Sequence, residues 1–196
     1  MLTEEEKSRF HVSQQYIQAA LNLIAGMLYN GNPHAVILDH YISEEEFKEG
    51  LRISSESIIL PTLFCLYQGI ELILKGFINK KGKLEQDDLH KGEMLCNRFS
   101  KLYMEEIELG KLFNKFLNTP PEFIKEYMQL NNITDIIGFY NSLRYPDKKN
   151  REIYNYDFLT NPDNEKFLPQ IKELNQDIEQ LLILSVKLFH TLEDVQ

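Results

Sequence analysis

Leu63-Phe64-Cys65-Leu66-Tyr67-Gln68-Gly69-Ile70-Glu71-Leu72-Ile73-Leu74-Lys75-Gly76-Phe77 is apolar along most of its length, with Gln68, Glu71 and Lys75 its long polar side chains. The segment around it, from about Ser54 to Lys81, places Leu63, Leu66, Tyr67, Ile70, Ile73, Leu74, Phe77 and Ile78 on nearly every face of a helix. A helix with that distribution belongs at the centre of a bundle, because each face needs a neighbour to exclude water. Pro61 either sits in its first turn or kinks it, and Gly82 is a natural stop. The run from Ile58 to Leu74 is interrupted by Pro61, Thr62, Gln68 and Glu71. A membrane span wants ~20 mostly apolar residues, so the expectation is a buried helix and no membrane contact.

Working outward, Thr3 with Glu6 three residues on makes a capping box. Phe10, Ile17, Leu21, Ile24 and Leu28 then recur at helical spacing until Asn30-Gly31-Asn32-Pro33 ends the helix. Ser43-Glu44-Glu45-Glu46 is a second helix-start signature, with carboxylates against the positive end of a helix dipole. The element from His34 to Tyr41 has no clear type. Downstream, shorter helices are expected over Asp88 to Phe99, Glu105 to Leu117, Phe123 to Leu130 and Thr134 to Leu143. A last long helix is expected from about Phe167 to Leu192, with a stripe of Leu168, Ile171, Leu174, Ile178, Leu181, Leu182, Ser185, Leu188, Phe189 and Leu192. Between them, Arg144 to Asn164 is bounded by Pro146 and Pro162. It is rich in Tyr, Asp, Asn and Lys and reads as a long loop, and long loops tend to be functional. The fold class is all-α: one helical domain over residues 1–196, a bundle of three long helices and several short ones.

Composition agrees. Nine Gly and seven Pro in 196 residues fall below the usual ~12%. Four valines against many Leu, Ile, Glu, Lys and Gln favour helix over strand. Thirty acidic and 21 basic side chains give a net charge of −9, which disfavours a broad nucleic-acid footprint. Much of that charge is local: residues 1–50 hold eight acidic and three basic groups. One small anion site elsewhere is therefore compatible with the balance. The acidic start, Met1-Leu2-Thr3-Glu4-Glu5-Glu6, lacks the basic, then apolar pattern of a secretory signal, so cytoplasmic residence is expected. Cys65 and Cys96 have no CxxC spacing and read as reduced, structural thiols.

Several chemistries are excluded. Gly76 to Lys83 is no phosphate loop, because the spacing is wrong and no Ser or Thr follows Lys83. Di-iron bundles need Glu-x-x-His on two helices, and the single Asp87-x-x-His90 cannot build a metal site. No metal, no cofactor and no catalytic residue is assigned. Glu71 and Lys75 are spaced i,i+4 in the favourable order, which on so apolar a helix implies a partly buried pair. That pair either staples the helix or faces a pocket.

A helix reading Tyr67-Gln68-x-x-Glu71-x-x-x-Lys75, a glycine-bearing turn, and then Leu89-His90-Lys91 opening another helix together resemble the HEPN domain. Phe139-Tyr140-Asn141-Ser142-Leu143-Arg144-Tyr145-Pro146 is similar to the Arg-Tyr-Pro segment of some of its members. The resemblance spans roughly residues 10–190. It implies a small helical bundle, commonly dimeric, of a kind that includes ribonucleases of toxin–antitoxin and other defence systems alongside binding modules without catalysis. The family's ribonuclease motif is an Arg followed, after four to six residues, by His. Arginines stand here at 9, 52, 98, 144 and 151, and none has a His at that distance.

The expectation is therefore a catalytically silent HEPN-like interaction or ligand-binding module, a homodimer, in a bacterial defence or toxin–antitoxin setting. The apolar terminal helices add to the dimer expectation. Arg144-Tyr145-Pro146-Asp147-Lys148-Lys149-Asn150-Arg151-Glu152-Ile153-Tyr154-Asn155-Tyr156 is locally basic and tyrosine-rich, so it either stacks against a nucleotide or short RNA or lies as a solvated loop with its tyrosines on the bundle. Arg144, Tyr145, His90, Glu71 and Lys75 are the candidate ligand-binding residues, and a protein partner is a further expectation. The alternative is an RNA-cleaving HEPN ribonuclease with a rearranged site that combines Arg144 and His90.

Overall fold

Thr3 opens the first helix as expected. Its hydroxyl accepts the Glu6 amide at 3.2 Å, and the Glu6 carboxylate accepts the Thr3 amide at 2.7 Å. The computed structural model describes residues 3–33, 43–45, 54–82, 92–148 and 152–194. Within them lie α1 (Glu4–Tyr29), α2 (Ser55–Lys81), α3 (Gly92–Leu102), α4 (Ile107–Leu117), α5 (Glu122–Leu130), α6 (Ile136–Arg144), α7 (Asp157–Thr160) and α8 (Asn164–Asp194). An isolated antiparallel bridge between Asp147 and Ile153 is the sole β pairing among the described residues. The architecture is an all-α bundle on three long helices. The expected element at His34 to Tyr41 and most of the expected start of the Asp88 helix lie outside the described residues. At the Ser43 signature, Glu44 and Glu45 are helical and exposed.

The bundle is organised around α2, which packs against α1, α3, α6 and α7. Leu63, Leu66, Ile70, Ile73, Leu74 and Ile78 are completely buried. Among the described residues α2 alone is long and apolar enough to cross a membrane, yet half of its most apolar window is covered by the rest of the chain, as in a core helix. Pro61 falls past the first turn, inside the helix. Nearby, the Thr62 hydroxyl donates to the Ile58 carbonyl at 2.7 Å. The contact with α1 is the most extensive in the bundle, and Gly69 lies within it. A Cβ there would stand 2.5 Å from Ile17 Cγ1 and 3.2 Å from the Ser13 carbonyl oxygen.

The junction of the three long helices is polar. Asn32 takes a left-handed φ of 50°, which Asn tolerates better than most residues. It is buried. Its side chain accepts the Ser55 amide at the start of α2 and donates to Asn164 at 2.6 Å at the start of α8. The Asn164 amide in turn donates to the Asn32 carbonyl at 2.9 Å. At the other end of α1 and α8, Phe10 and Phe189 stack at 4.0 Å and Lys7 meets Glu193 at 3.5 Å. Part of the apolar surface of both terminal helices is thus buried within the chain, while Val12 on α1 and Ile183 on α8 remain exposed.

Three sequence expectations shift. The last helix begins at Asn164, ahead of Phe167, because the Asp163 carboxylate accepts the Glu165 amide at 3.1 Å. Its buried stripe starts with Phe167, whereas Leu168 is half-buried. The helix placed at Thr134 starts after Asp135, whose carboxylate accepts the Gly138 amide at 2.7 Å. The segment from Arg144 to Asn164 is structured where described: it contains α7, and Leu159 is fully buried.

Replacing Gly69 by Ala tests the α1–α2 contact. Alanine favours an isolated helix by about 0.5–1 kcal/mol, but overpacking a dense core costs about 1–3 kcal/mol. Net destabilisation in denaturant unfolding is expected, and a variant as stable as the parent would show that the two helices part freely.

Candidate functional site

A cleft of about 360 Å³ opens beside α2 and is lined by residues of α2, α3, α4 and α6 together with Tyr145. That size lies in the range of small-molecule sites. Leu74, Leu95, Leu117, Ile136 and Ile137 form its apolar wall. Glu71, Asn141, Arg144 and Tyr145 supply its polar groups, while Tyr67 and Tyr140 present rings whose hydroxyls are already engaged. The Tyr67 hydroxyl donates to the Phe116 carbonyl at 3.1 Å, and that of Tyr140 donates to Gln68.

Three of the five sequence-predicted residues, Glu71, Arg144 and Tyr145, line this one cleft. Lys75 stands beside it as the ion-pair partner of Glu71, one turn along α2. The side chains are 13% exposed for Lys75 and 21% for Glu71, so the pair is partly buried as its spacing implied. Each neutralises the other, which relieves the cost of burying either alone. His90 lies outside the described residues. Sequence reasoning did not foresee the apolar wall, because Leu95, Leu117 and Ile136 come from elements far apart in the chain.

Arg144 is the last residue of α6 and is exposed. Its guanidinium carbon lies 5.5 Å from the Tyr140 ring centre and 5.4 Å from that of Tyr145. Such contacts are worth about 0.5–1 kcal/mol at exposed sites, enough to bias the orientation of the side chain. Among the described residues the Arg144 side chain makes no hydrogen bond or ion pair. Tyr145 is 57% exposed.

The tyrosines further along the loop are differently occupied. Tyr156 stacks on Tyr127 at 5.7 Å and donates to the Ser142 carbonyl. Tyr127 donates to the Ser142 hydroxyl at 3.0 Å, and that hydroxyl donates to the Phe139 carbonyl at 2.7 Å. Asn131, buried, donates to the Asn155 carbonyl at 2.9 Å and accepts the Asn155 amide at 2.8 Å. Tyr154 is half-buried, with Lys148 over its ring at 5.4 Å. Of the basic, tyrosine-rich stretch, Arg144 and Tyr145 face the cleft, while Tyr154 and Tyr156 are taken up against the chain itself.

Among the described residues no three His, Cys, Asp or Glu side chains gather as a metal-binding group. Both cysteines are free thiols; burial, with Glu93 adding to it, pushes Cys96 up to about 11, which disfavours its reactive thiolate. No protein-family model, curated protein or solved structure matches this chain.

Burial also raises the tyrosines. Tyr140 is pushed up to about 12, chiefly by desolvation and then by the Glu71 charge, against the opposing pull of Arg144. Tyr67, Tyr103 and Tyr127 shift upward for the same leading reason. The unfolded chain therefore ionises first, near the ordinary tyrosine value of 10. Stability is intact below that pH and falls as pH rises toward 12. The expected outcome is tyrosinate absorbance that lags behind free tyrosine and then rises together with loss of helical circular dichroism. Full ionisation of all ten tyrosines with the fold intact would contradict it.

Proposed function

We propose that this chain is a catalytically silent, HEPN-like helical module that binds a small anionic ligand of nucleotide scale at the Arg144 cleft. The observation that carries this reading is Arg144 itself. It is a permanently charged guanidinium on the rim of an apolar cleft, flanked by two tyrosine rings and without an ionic partner among the described residues. The two segments that prompted the HEPN comparison, the α2 stretch around Glu71 and the Arg-Tyr-Pro stretch, both border this cleft, which supports treating them as parts of one site.

Binding is favoured over cleavage on chemical grounds. General acid–base work needs a titratable group within hydrogen-bond reach of the reacting atoms. Among the described lining residues the one carboxylate, Glu71, is held by Lys75, and both lining tyrosine hydroxyls near α2 are committed to other acceptors. The missing Arg–His spacing in the sequence points the same way. The resemblance adds a bacterial defence or toxin–antitoxin setting, a homodimeric state and a protein partner as parts of the proposal, and the acidic start adds a cytoplasmic location.

Two measurements test it. Structured RNA incubated with the protein and a metal chelator is expected to stay intact, and robust cleavage abolished by Arg144→Ala would overturn the silent reading. In calorimetry with cytidine monophosphate or a short single-stranded RNA, Arg144→Ala is expected to weaken whatever binding the parent shows by about tenfold, the worth of one charge-assisted contact. Because Arg144 is exposed, the variant should remain folded. Sedimentation at micromolar concentration is expected to give a dimer.

A further inference from the structure

We infer that the cleft selects an apolar-bodied monocarboxylate, in preference to a phosphate ester; this rests on reading the cleft as a ligand site. The first argument is the wall. Leu74, Leu95, Leu117, Ile136 and Ile137 converge from four helices, and Gly92 lets the start of α3 pack closely against two of them. A Cβ at Gly92 would approach Leu117 Cδ2 to 3.2 Å and Ile136 Cγ2 to 3.4 Å. A sugar or a chain of phosphates would leave its hydroxyls or charges unpaired against such a surface, at a cost for each. A phenyl ring or a branched alkyl group would bury apolar area instead.

The second argument is charge. Among the described lining residues the cleft offers one cation, Arg144, and one anion, Glu71, while Lys75 is committed to Glu71. A single negative charge is matched by Arg144. A phosphate monoester carries about −1.5 to −2 at neutral pH, and its second charge would find no uncommitted cation among the described lining residues, because Lys75 is held by Glu71. The third argument is shape. With two tyrosine rings at 5.5 and 5.4 Å from the Arg144 guanidinium carbon and no hydrogen bond or ion pair on that side chain among the described residues, its N–H fork is open to a planar carboxylate, both of whose oxygens it can bond. Asn141 stands one turn earlier on α6 and also lines the cleft, so its side-chain amide can donate to the same head group. The ligand's body then lies along the leucine and isoleucine wall, with Tyr145 at the mouth.

Calorimetry with three probes that share a phenyl ring decides the matter: phenylpropionate, phenylpropionamide and phenyl phosphate. Phenylpropionate is expected to bind at least about tenfold more tightly than its neutral amide, the worth of about 1.4 kcal/mol. Phenyl phosphate is expected to bind more weakly than the carboxylate above its second ionisation, near pH 6, and to gain on the carboxylate below it. Arg144→Ala should erase the preference of acid over amide, and Arg144→Lys should restore only part of it. Glu71→Gln should raise the affinity of phenyl phosphate relative to phenylpropionate, because it releases the Lys75 ammonium from its ion pair. Ile137→Trp, which fills the cleft from a half-buried position, should weaken all three probes. Equal binding of acid and amide, or tighter binding of the phosphate at neutral pH, would overturn the inference. Arg144-dependent binding of cytidine monophosphate without any response to phenylpropionate would leave the site standing and remove the ligand class assigned to it. Failure of every probe and nucleotide to bind would remove both.

Discussion

The constraint from which the rest of this bundle follows is that α2 is apolar around almost its whole circumference. Such a helix is stable in water only if it is enclosed. Enclosure here is supplied unevenly: α1 presses close at Gly69, α3 and α6 cover other flanks, and α7, though only one turn long, covers another. The polar side chains that interrupt α2 are half-buried and paired. Gln68 meets the Tyr140 hydroxyl, and Glu71 and Lys75 meet each other. Of these, Glu71 borders the cleft.

Long-range polar contacts, and not long apolar stretches, secure the ends of the elements. Asn32 joins the end of α1 to the starts of α2 and α8, and Asn131 ties the end of α5 to the backbone of Asn155. Both residues are buried, so their amides work where water does not compete and an unmade bond is costly. These bonds explain why the segment after Arg144, polar enough to read as a loose loop, is held to the bundle over most of its described length.

Much of the helical plan was legible because it depends on local signals. The Thr3–Glu6 box, the stop at Asn30 to Pro33 and the apolar periodicity of α2 and α8 need no tertiary knowledge. What escaped depends on partners. The phase of α8 between Phe167 and Leu168 is fixed by Phe123, whose ring meets Phe167 edge-on at 5.3 Å. Gly69 matters only because Ile17 lies opposite. The site divides in the same way: Glu71 and Lys75 were visible as an i,i+4 pair, and Arg144 and Tyr145 as neighbours in a basic stretch. Their shared cleft was not visible, because it is assembled from residues as distant as Leu74 and Ile136.

The bonds that converge on Ser142 bear on Arg144, two residues further along α6. Tyr127 and Tyr156 reach Ser142 from different segments, and the Ser142 hydroxyl is itself bonded back to Phe139. The last turn of α6 has therefore surrendered its backbone freedom during folding, before any ligand arrives. For the proposed ligand, what remains to be ordered is confined to the torsions of the Asn141, Arg144 and Tyr145 side chains, about 0.5–1.5 kcal/mol for each rotamer-rich group. The mount is preorganised, and the entropy of such binding is a matter of a few side chains on a fixed base.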